Sequence, residues 1–190
     1  MSATACHFAS VIMADENTEI ARGLRRRDPH LLDRLIEQYQ HRLLRYLVHL
    51  TGQRELAEDL FQETWVRVLE RGRQYDGRRD FTAWLFTVAR NLAIDHMRRR
   101  RPEGEEQADI PQQGVPSAFD LAARMEQSER IAAGMQHLPA EYREALALRF
   151  QEGMSLEEIA SVTGAPLGTV KSRIYRGLSA LEPLLKGARL

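Results

Sequence analysis

The chain has 190 residues, of which 43% are apolar and 28% are charged. This length suits one mid-sized domain or two small ones, and so high an apolar fraction excludes a wholly disordered chain. The longest apolar runs have only four residues, as in 83–86, which excludes a transmembrane helix. The sequence predicts no secretory signal, and its single cysteine, Cys6, excludes a disulfide within the chain. We therefore expect a cytoplasmic protein.

Charge is segregated along the chain, although 27 basic and 27 acidic residues balance overall. Residues 19–101 carry 18 arginines against 12 acidic residues, whereas residues 102–125 carry one arginine against five acidic residues. Residues 171–190 are basic again. Local basic patches of this kind indicate a polyanionic partner. The preference for arginine over lysine has a second explanation, since genome composition produces the same bias.

Helical spacing of apolar residues dominates residues 19–101, and the alternation typical of strands is almost absent. Three helices are predicted, bounded by capping residues, prolines or glycines, over residues 28–52, 54–71 and 80–101. Three amphipathic helices of this length can bury their apolar stripes against one another, so we predict one all-α domain over 19–101. Residues 1–18 are predicted to form a disordered extension.

A second helical module is predicted over residues 126–186, after an acidic linker. Residues 102–125 contain three prolines, two glycines and five acidic residues, a composition typical of a linker. Helical spacing resumes over about 119–135 and again over about 140–151, where we expect Leu146 and Phe150 to face inward. The sequence thus predicts two small helical domains on a flexible tether.

Residues 155–181 have the pattern of a helix-turn-helix. Ser155 and Glu158 form a predicted capping box at the start of the first helix. Gly164 ends that helix, and Pro166 opens the second one after a short turn. The second helix has a predicted buried stripe formed by Val170, Ile174, Leu178 and Leu181.

The opposite face of this second helix carries candidate DNA-binding residues. It combines small, hydroxylated and basic side chains, namely Gly168, Thr169, Ser172, Arg173 and Arg176, with Lys171 beside them. Amides at a helix N-terminus can bind phosphate, and arginine can form two hydrogen bonds to a guanine edge. An ordinary amphipathic helix with a solvated basic face is the alternative. The capping box, the turn and the basic charge together favour DNA binding.

The second predicted helix of the first domain has an acidic face that includes Glu58, Asp59, Gln62 and Glu63. An acidic face on a basic module is unsuited to nucleic acid, so it suggests a protein partner. A solvated face of little energetic consequence is equally compatible with the spacing.

The third predicted helix has a polar stripe formed by Trp84, Thr87, Asn91, Asp95 and Arg98, with Arg90 beside it. The preceding loop, residues 75–80, adds Tyr75 and Arg78. An aromatic side chain, an amide and arginines on one exposed face suit the stacking and binding of unpaired bases. Alternatively, Trp84 belongs to the core, and the arginine run at 98–101 is a solvated helix end.

Four stretches carry a resemblance to a known family. Residues 57–65 (AEDLFQETW) and 81–100 (FTAWLFTVARNLAIDHMRRR) resemble region 2 of an extracytoplasmic-function, or group 4, sigma factor of the sigma-70 family. Residues 138–150 (LPAEYREALALRF) and 168–176 (GTVKSRIYR) are similar to region 4 of that family. The resemblance implies an all-α fold, with a region 2 bundle over 19–101 and a region 4 helix-turn-helix over 126–186.

The resemblance also implies a role for each surface. Glu58, Asp59, Gln62 and Glu63 would bind the β′ clamp helices of core RNA polymerase, whose β flap is a second expected contact. Promoter DNA would be recognised and opened at the −10 element by Tyr75, Arg78, Trp84, Arg90, Asn91, Asp95 and Arg98. The −35 element would be recognised by Thr169, Lys171, Ser172, Arg173 and Arg176. An anti-sigma factor is a further candidate partner, and no cofactor, metal or catalytic residue is implied.

Two other classes of protein compete with this prediction. A free-standing helix-turn-helix regulator needs only residues 126–190, and it leaves the acidic face and the Trp84 stripe without a role. An enzyme finds little support, because the six histidines lack metal-ligand spacing and the chain has no glycine-rich phosphate loop. We therefore predict a promoter-specificity subunit that acts by binding and strand separation.

Overall fold

The computed structural model describes residues 3–100, 134–135 and 137–186, and within them it contains helices and no strand. The all-α prediction is therefore confirmed. The predicted linker and all but the end of the helix predicted over 119–135 lie outside the described residues. The described α-helices are α1 (Ala3–Arg26), α2 (Pro29–Thr51), α3 (Arg54–Arg71), α4 (Phe81–Arg100), α5 (Ala140–Leu146), α6 (Leu156–Thr163) and α7 (Leu167–Lys186).

Helices α2, α3 and α4 form the first domain, with bounds close to those predicted. The Asp28 carboxylate caps α2 by accepting hydrogen bonds from the amides of His30 and Leu31, at 3.0 and 3.4 Å. Gly52 ends α2 in the left-handed conformation, with φ of 71°, which glycine adopts without strain. The three helices bury a common core that includes Leu43, Leu47, Leu60, Val68, Leu85 and Phe86.

Helix α1 adds a fourth element to this domain and crosses the predicted boundary between residues 18 and 19. Ile20, Ala21 and Leu24 are buried in the same core. Gly23 lies directly against Leu31 of α2, where a Cβ atom would have no room. Helix α1 begins at Ala3, within the extension that was expected to be disordered over 1–18, and Ile20, Ala21 and Leu24 lie in its second half.

The second domain contains the predicted helix-turn-helix. Ser155 and Glu158 form the capping box, with the Ser155 amide 2.6 Å from Glu158 Oε2 and the Glu158 amide 3.2 Å from Ser155 Oγ. Gly164 follows α6 with φ of 67°, a left-handed value that favours glycine. Helix α7 then packs against α5 and α6.

Two apolar residues of this domain face solvent, contrary to prediction. The structure inserts a π-helical turn, Ala147–Gln151, after α5. Because a π turn holds more residues than an α turn, it rotates Phe150 off the stripe that Leu146 begins, and Phe150 is 62% exposed. Leu178 is also exposed, since Gly177 takes the buried position against Leu146 and Tyr142.

The two domains pack against each other through α4 with α6 and α2 with α5. Leu148, Ile159 and Val162 of the second domain belong to the same buried cluster as the core of the first. Ion pairs cross this contact, because Glu152 binds Arg42 at 2.8 Å and Arg45 at 3.1 Å. The described parts of both domains therefore share one apolar core.

Candidate polymerase and promoter interfaces

The acidic surface of α3, defined as Glu58, Asp59, Gln62 and Glu63, is exposed along its whole length. Leu60 and Thr64, on the other side of the helix, are buried, which turns the acidic side chains outward. Glu58 pairs with Arg54 at 2.8 Å and Glu63 with Arg67 at 3.3 Å, both one helical turn apart. Exposed pairs of this kind contribute little to stability, so these carboxylates remain available to a partner.

Two apolar side chains extend this surface and were missed in the sequence. Val66 is 53% exposed and Leu69 is 42% exposed. They follow Gln62 and Glu63 at helical spacing, so they lie on the same side of α3. That spacing was the available signal. An acidic patch continued by exposed apolar residues is typical of a protein-binding site.

Tyr75, expected as an exposed base-binding residue, is instead part of the core. Its side chain is only 2% exposed, and its ring packs edge-on against Phe81 at 5.4 Å. Its hydroxyl lies 3.1 Å from Asn17 Oδ1 and 2.7 Å from the backbone oxygen of Arg79. Burial, reinforced by nearby acidic groups, raises the pKa of Tyr75. The expectation that Tyr75 is accessible to a base is wrong for this structure, because α1 and α4 enclose it.

Arg78 and Trp84 are placed at the surface around this buried tyrosine. Arg78 is exposed and lies 3.7 Å from Asp76 in a weak, solvated pair. Trp84 is half-buried, with ring centroids 5.2 Å from Tyr75 and 5.7 Å from Phe81. Trp84 is therefore partly a core residue, and the part of its indole that reaches solvent keeps it as a candidate for base stacking.

The outer face of α4 presents Asn91 and Arg98 to solvent, with Asp95 half-buried and paired to Arg98 at 3.2 Å. Arg90 has a different environment from the one expected. Its guanidinium binds Glu144 of α5 at 2.7 Å, and its side chain is only 19% exposed. The structure thus directs Arg90 to the second domain and away from solvent.

Glu144 is the centre of a buried network between the domains. Its Oε1 accepts hydrogen bonds from Arg90 Nε at 2.7 Å and from the Tyr46 hydroxyl at 2.8 Å. Burial, followed by the negative charge of Glu144, raises the pKa of Tyr46 well above its usual value. Burial alone would lower the pKa of Arg90, but the hydrogen bond and charge of Glu144 outweigh it and raise that pKa.

Helix α7 exposes most of the predicted −35 residues. Lys171, Ser172 and Arg176 face solvent, whereas Thr169 and Arg173 are half-buried. Arg176 Nη1 lies 3.5 Å from the Tyr142 hydroxyl. Tyr175, one position before Arg176, is 73% exposed and was not among the predicted contacts. Its exposure could have been predicted from the sequence, because Tyr175 lies outside the apolar stripe of α7.

Neither a metal site nor a membrane helix is found in the part of the chain that the structure describes. No group of three or more histidine, cysteine or acidic residues is arranged to hold a metal ion there. None of the described helices is long and apolar enough to cross a bilayer.

Comparison with known proteins decides the family. The family model described as Sigma-70 region 2 matches residues 35–103, and that described as Sigma-70, region 4 matches residues 128–181. The RNA polymerase sigma-H factor of Pseudomonas aeruginosa is 30% identical over 94% of this chain and 100% of that protein. The ECF RNA polymerase sigma factor SigW of Bacillus subtilis is 30% identical over 80% of this chain and 87% of that protein. The chain belongs to the extracytoplasmic-function sigma factors of the sigma-70 family.

The fold of this sigma factor is also found among solved structures. The sigma factor RpoE from Bartonella quintana, crystallised with the anti-sigma factor NepR, matches 81% of this chain and 96% of that chain. The TM-score is 0.62 at 26% identity. Membership in the family makes the chain a subunit for promoter-specific transcription initiation. The free-standing regulator finds no support, because the region 2 match covers a domain that such a regulator does not need.

The candidate site residues of the sigma factor fall within the two matched regions. The acidic surface of α3, the 75–80 loop and the face of α4 lie within region 2, and the exposed face of α7 lies within region 4. Asn17, which binds Tyr75 in the structure, precedes both matches.

Proposed function

We propose that this sigma factor uses three separate surfaces to start transcription. The acidic surface of α3 binds core RNA polymerase, the 75–80 loop with α4 captures the −10 element, and α7 recognises the −35 element. The observation that carries this proposal is their chemical difference: one exposed surface is acidic and apolar, and the other two expose arginine, lysine and amide groups.

Polymerase binding is assigned to the acidic surface of α3 because its chemistry suits a protein. Val66 and Leu69 add apolar area that is favourable to bury in an interface. The carboxylates at Asp59 and Glu63 select a basic partner and exclude DNA. The β′ clamp helices are the proposed partner, with the β flap contacting the second domain. An anti-sigma factor competing for these surfaces is the proposed means of control.

Strand opening at the −10 element is assigned to Arg78, Trp84, Asn91, Asp95 and Arg98. A base that leaves the stack loses a few kcal/mol of pairing and stacking. The exposed part of Trp84 can stack on such a base, and the Asn91 amide can bind its edge. Arg78 and Arg98 supply charge for the strand backbone. Tyr75 contacts no base in this proposal, and its buried ring supports Trp84 by packing against it.

Recognition of the −35 element is assigned to the start and middle of α7. Lys171, Ser172 and Arg176 are exposed together, as insertion into a major groove requires. Thr169 and Arg173 flank them at the edge of this face. The protein acts by binding and strand separation without bond chemistry of its own, and its place of action is the cytoplasm, where polymerase and promoters are found.

A double variant tests the −10 assignment. We expect holoenzyme carrying Arg78→Ala with Asn91→Ala to bind promoter duplex but to fail to open it, because both side chains are exposed and neither supports the core. Permanganate reactivity of unpaired thymines measures opening, and a template with a pre-melted −10 bubble should restore transcription. Arg34→Ala with Gln38→Ala removes the same kinds of side chain from the exposed face of α2 and should open normally. Wild-type thymine reactivity in the Arg78/Asn91 variant would remove the loop and α4 from strand capture.

A further inference from the structure

Asn17 of α1 joins the two ends of the 75–80 loop. Its side-chain oxygen lies 3.1 Å from the hydroxyl of Tyr75, the first residue of the loop, and 3.1 Å from the amide nitrogen of Phe81, the residue that follows the loop. The first contact joins residues that are 58 positions apart in the chain, and the second joins residues that are 64 positions apart. One acceptor therefore holds both sides of the segment that carries Arg78.

The Phe81 amide needs an acceptor from outside α4, because it lies at the start of that helix. The first four N–H groups of a helix lack partners within it, and Phe81 is the first residue of α4. Asp80 Oδ1 accepts the hydrogen bond from Ala83, at 3.2 Å, and Asn17 accepts the one from Phe81. The cap that sets the start of α4 is thus shared between the loop itself and α1.

The loop also lies directly against the backbone of α1. Gly77 has φ of +77°, and a Cβ atom there would stand 2.9 Å from the Asn17 carbonyl oxygen and 3.2 Å from Ala21 Cβ. The loop is therefore already in contact with α1 and cannot move closer to it. Arg78, the next residue, consequently points to solvent.

We infer that Asn17 is a positioning residue for strand capture at the −10 element. It contacts no base. It fixes the ends of the 75–80 loop, and through Tyr75 it fixes the platform under Trp84, so that Arg78 and Trp84 meet an extruded base in one arrangement. This inference rests on the proposed role of the loop and α4.

The expected size of the effect follows from the bonds that are lost. With Asn17→Ala the Phe81 amide loses its acceptor, and the single proton of the Tyr75 hydroxyl, which two oxygens share in the wild type, is donated to the Arg79 oxygen alone. A hydrogen bond of this kind contributes about 0.5–1.5 kcal/mol net, equivalent to about two- to thirteenfold in an equilibrium. We therefore expect open-complex formation to fall by a factor in this range, with core polymerase binding unchanged.

Rescue by a conservative variant separates positioning from general damage. Asn17→Asp keeps the oxygen acceptor and places negative charge at the start of α4, which the helix dipole favours. It should restore opening on a promoter duplex that the wild-type holoenzyme opens, measured by permanganate reactivity. Glu19→Ala, an exposed change on the same helix, is the matched control. Amide exchange at Phe81 should accelerate in Asn17→Ala and in neither of the other two variants.

Two results would overturn the inference: normal opening by Asn17→Ala, or Asn17→Asp as defective as Asn17→Ala. If Asn17→Ala lowers the melting temperature below the assay range, Tyr75→Phe tests the same pair, since it removes the hydroxyl and keeps the ring. Normal opening by Tyr75→Phe would then count against Asn17. The Arg78/Asn91 variant keeps the two proposals apart. If that variant fails to open the promoter while Asn17→Ala opens it normally, only the role of Asn17 is lost.

Discussion

Whether a charged residue is free to bind a partner depends on its burial and on its ion pairs. Asp59 and Glu63 lie on the outer side of α3, opposite the buried Leu60 and Thr64. Their charges contribute little to the fold, because the one ion pair described between them and the rest of the chain, Glu63 with Arg67, is exposed. Arg90 has the opposite situation, because its charge is already paired with a buried carboxylate. Substitutions at the first pair should therefore change binding alone, whereas substitutions at Arg90 should change the fold and binding together.

Reversing the charge at Asp59 and Glu63 should abolish binding to core polymerase. Asp59→Lys with Glu63→Lys places two positive charges against a basic partner and leaves the core untouched. Exposed substitutions of this kind change stability by about 0.5 kcal/mol or less, so the circular dichroism spectrum should barely change. Pull-down of core polymerase measures the effect.

A matched control for this double reversal is available on α2. Asp33 and Glu37 are exposed and have the same one-turn spacing, so Asp33→Lys with Glu37→Lys introduces the same charge elsewhere. Polymerase binding should survive in the control. Binding at wild-type affinity by the Asp59/Glu63 variant would exclude the acidic surface of α3 as the docking site.

At the scale of elements, helix α7 shows how packing decides which face meets DNA. Val170 and Leu181 are buried as predicted, but Gly177 lies against Leu146 where a larger residue would clash. Gly177 therefore faces α5, and its neighbour Leu178 lies in solvent. Lys171, Ser172 and Arg176 consequently share the exposed face, with Arg173 at its margin.

Separate alanine substitutions at Arg173 and Arg176 should distinguish base recognition from backbone contact. A side chain with two hydrogen bonds to a base should lose about 1–3 kcal/mol of binding and relax specificity at one −35 position. A phosphate contact should weaken all sequences equally and reduce the salt dependence. We expect Arg173 to be the base contact, because it lies nearer the start of the helix. Holoenzyme binding to a panel of promoter variants at several salt concentrations measures both, and no effect from either substitution would exclude α7 from recognition.

At the scale of the whole molecule, the domains are held together by Glu144 and the apolar core around it. Arg90 cannot bind this carboxylate and a DNA strand at once. While the two domains are packed together, Arg90, one of the predicted −10 residues, is therefore not accessible to DNA. The packed arrangement therefore has to give way before Arg90 can take part at a promoter.

Removing the charge of Glu144 should loosen the contact between the domains. Glu144→Gln leaves the Arg90 guanidinium poorly paired in a mostly buried position, which is more destabilising than the loss of an exposed pair. We expect a larger radius of gyration in solution scattering and tighter binding of the isolated protein to promoter duplex. Glu157→Gln, an exposed change in the same domain, should do neither. An unchanged radius together with unchanged DNA binding would show that the ion pair does not hold the domains.

Acid should weaken the same contact through His49. Burial, followed by the positive charges of Arg143 and Arg45, lowers the pKa of His49 below its usual 6.5. The unfolded chain therefore takes up the proton first as the pH falls, so the stability that His49 supports is complete above about pH 6.5 and declines below it. Urea unfolding between pH 8 and 5 should show this decline in the wild type and a flatter profile in His49→Gln. Parallel profiles would assign the acid sensitivity to other groups.

The sequence by itself determined the features that depend on neighbours within one helical turn. The ends of α2, the Ser155 capping box and the outward direction of Glu58, Asp59, Gln62 and Glu63 were all predictable, because capping and amphipathic spacing act locally. The family resemblance was also present in the sequence, since its motifs are continuous stretches.

Only the tertiary structure decided which of the predicted residues are free to act. Tyr75 is buried because α1 packs over it, and Arg90 is paired because the packing of α5 places Glu144 beside it. Asn17 gained a role only through residues about 60 positions away along the chain. Each of these outcomes depends on how distant helices pack, and helical periodicity carries no information about that, because it describes one helix at a time.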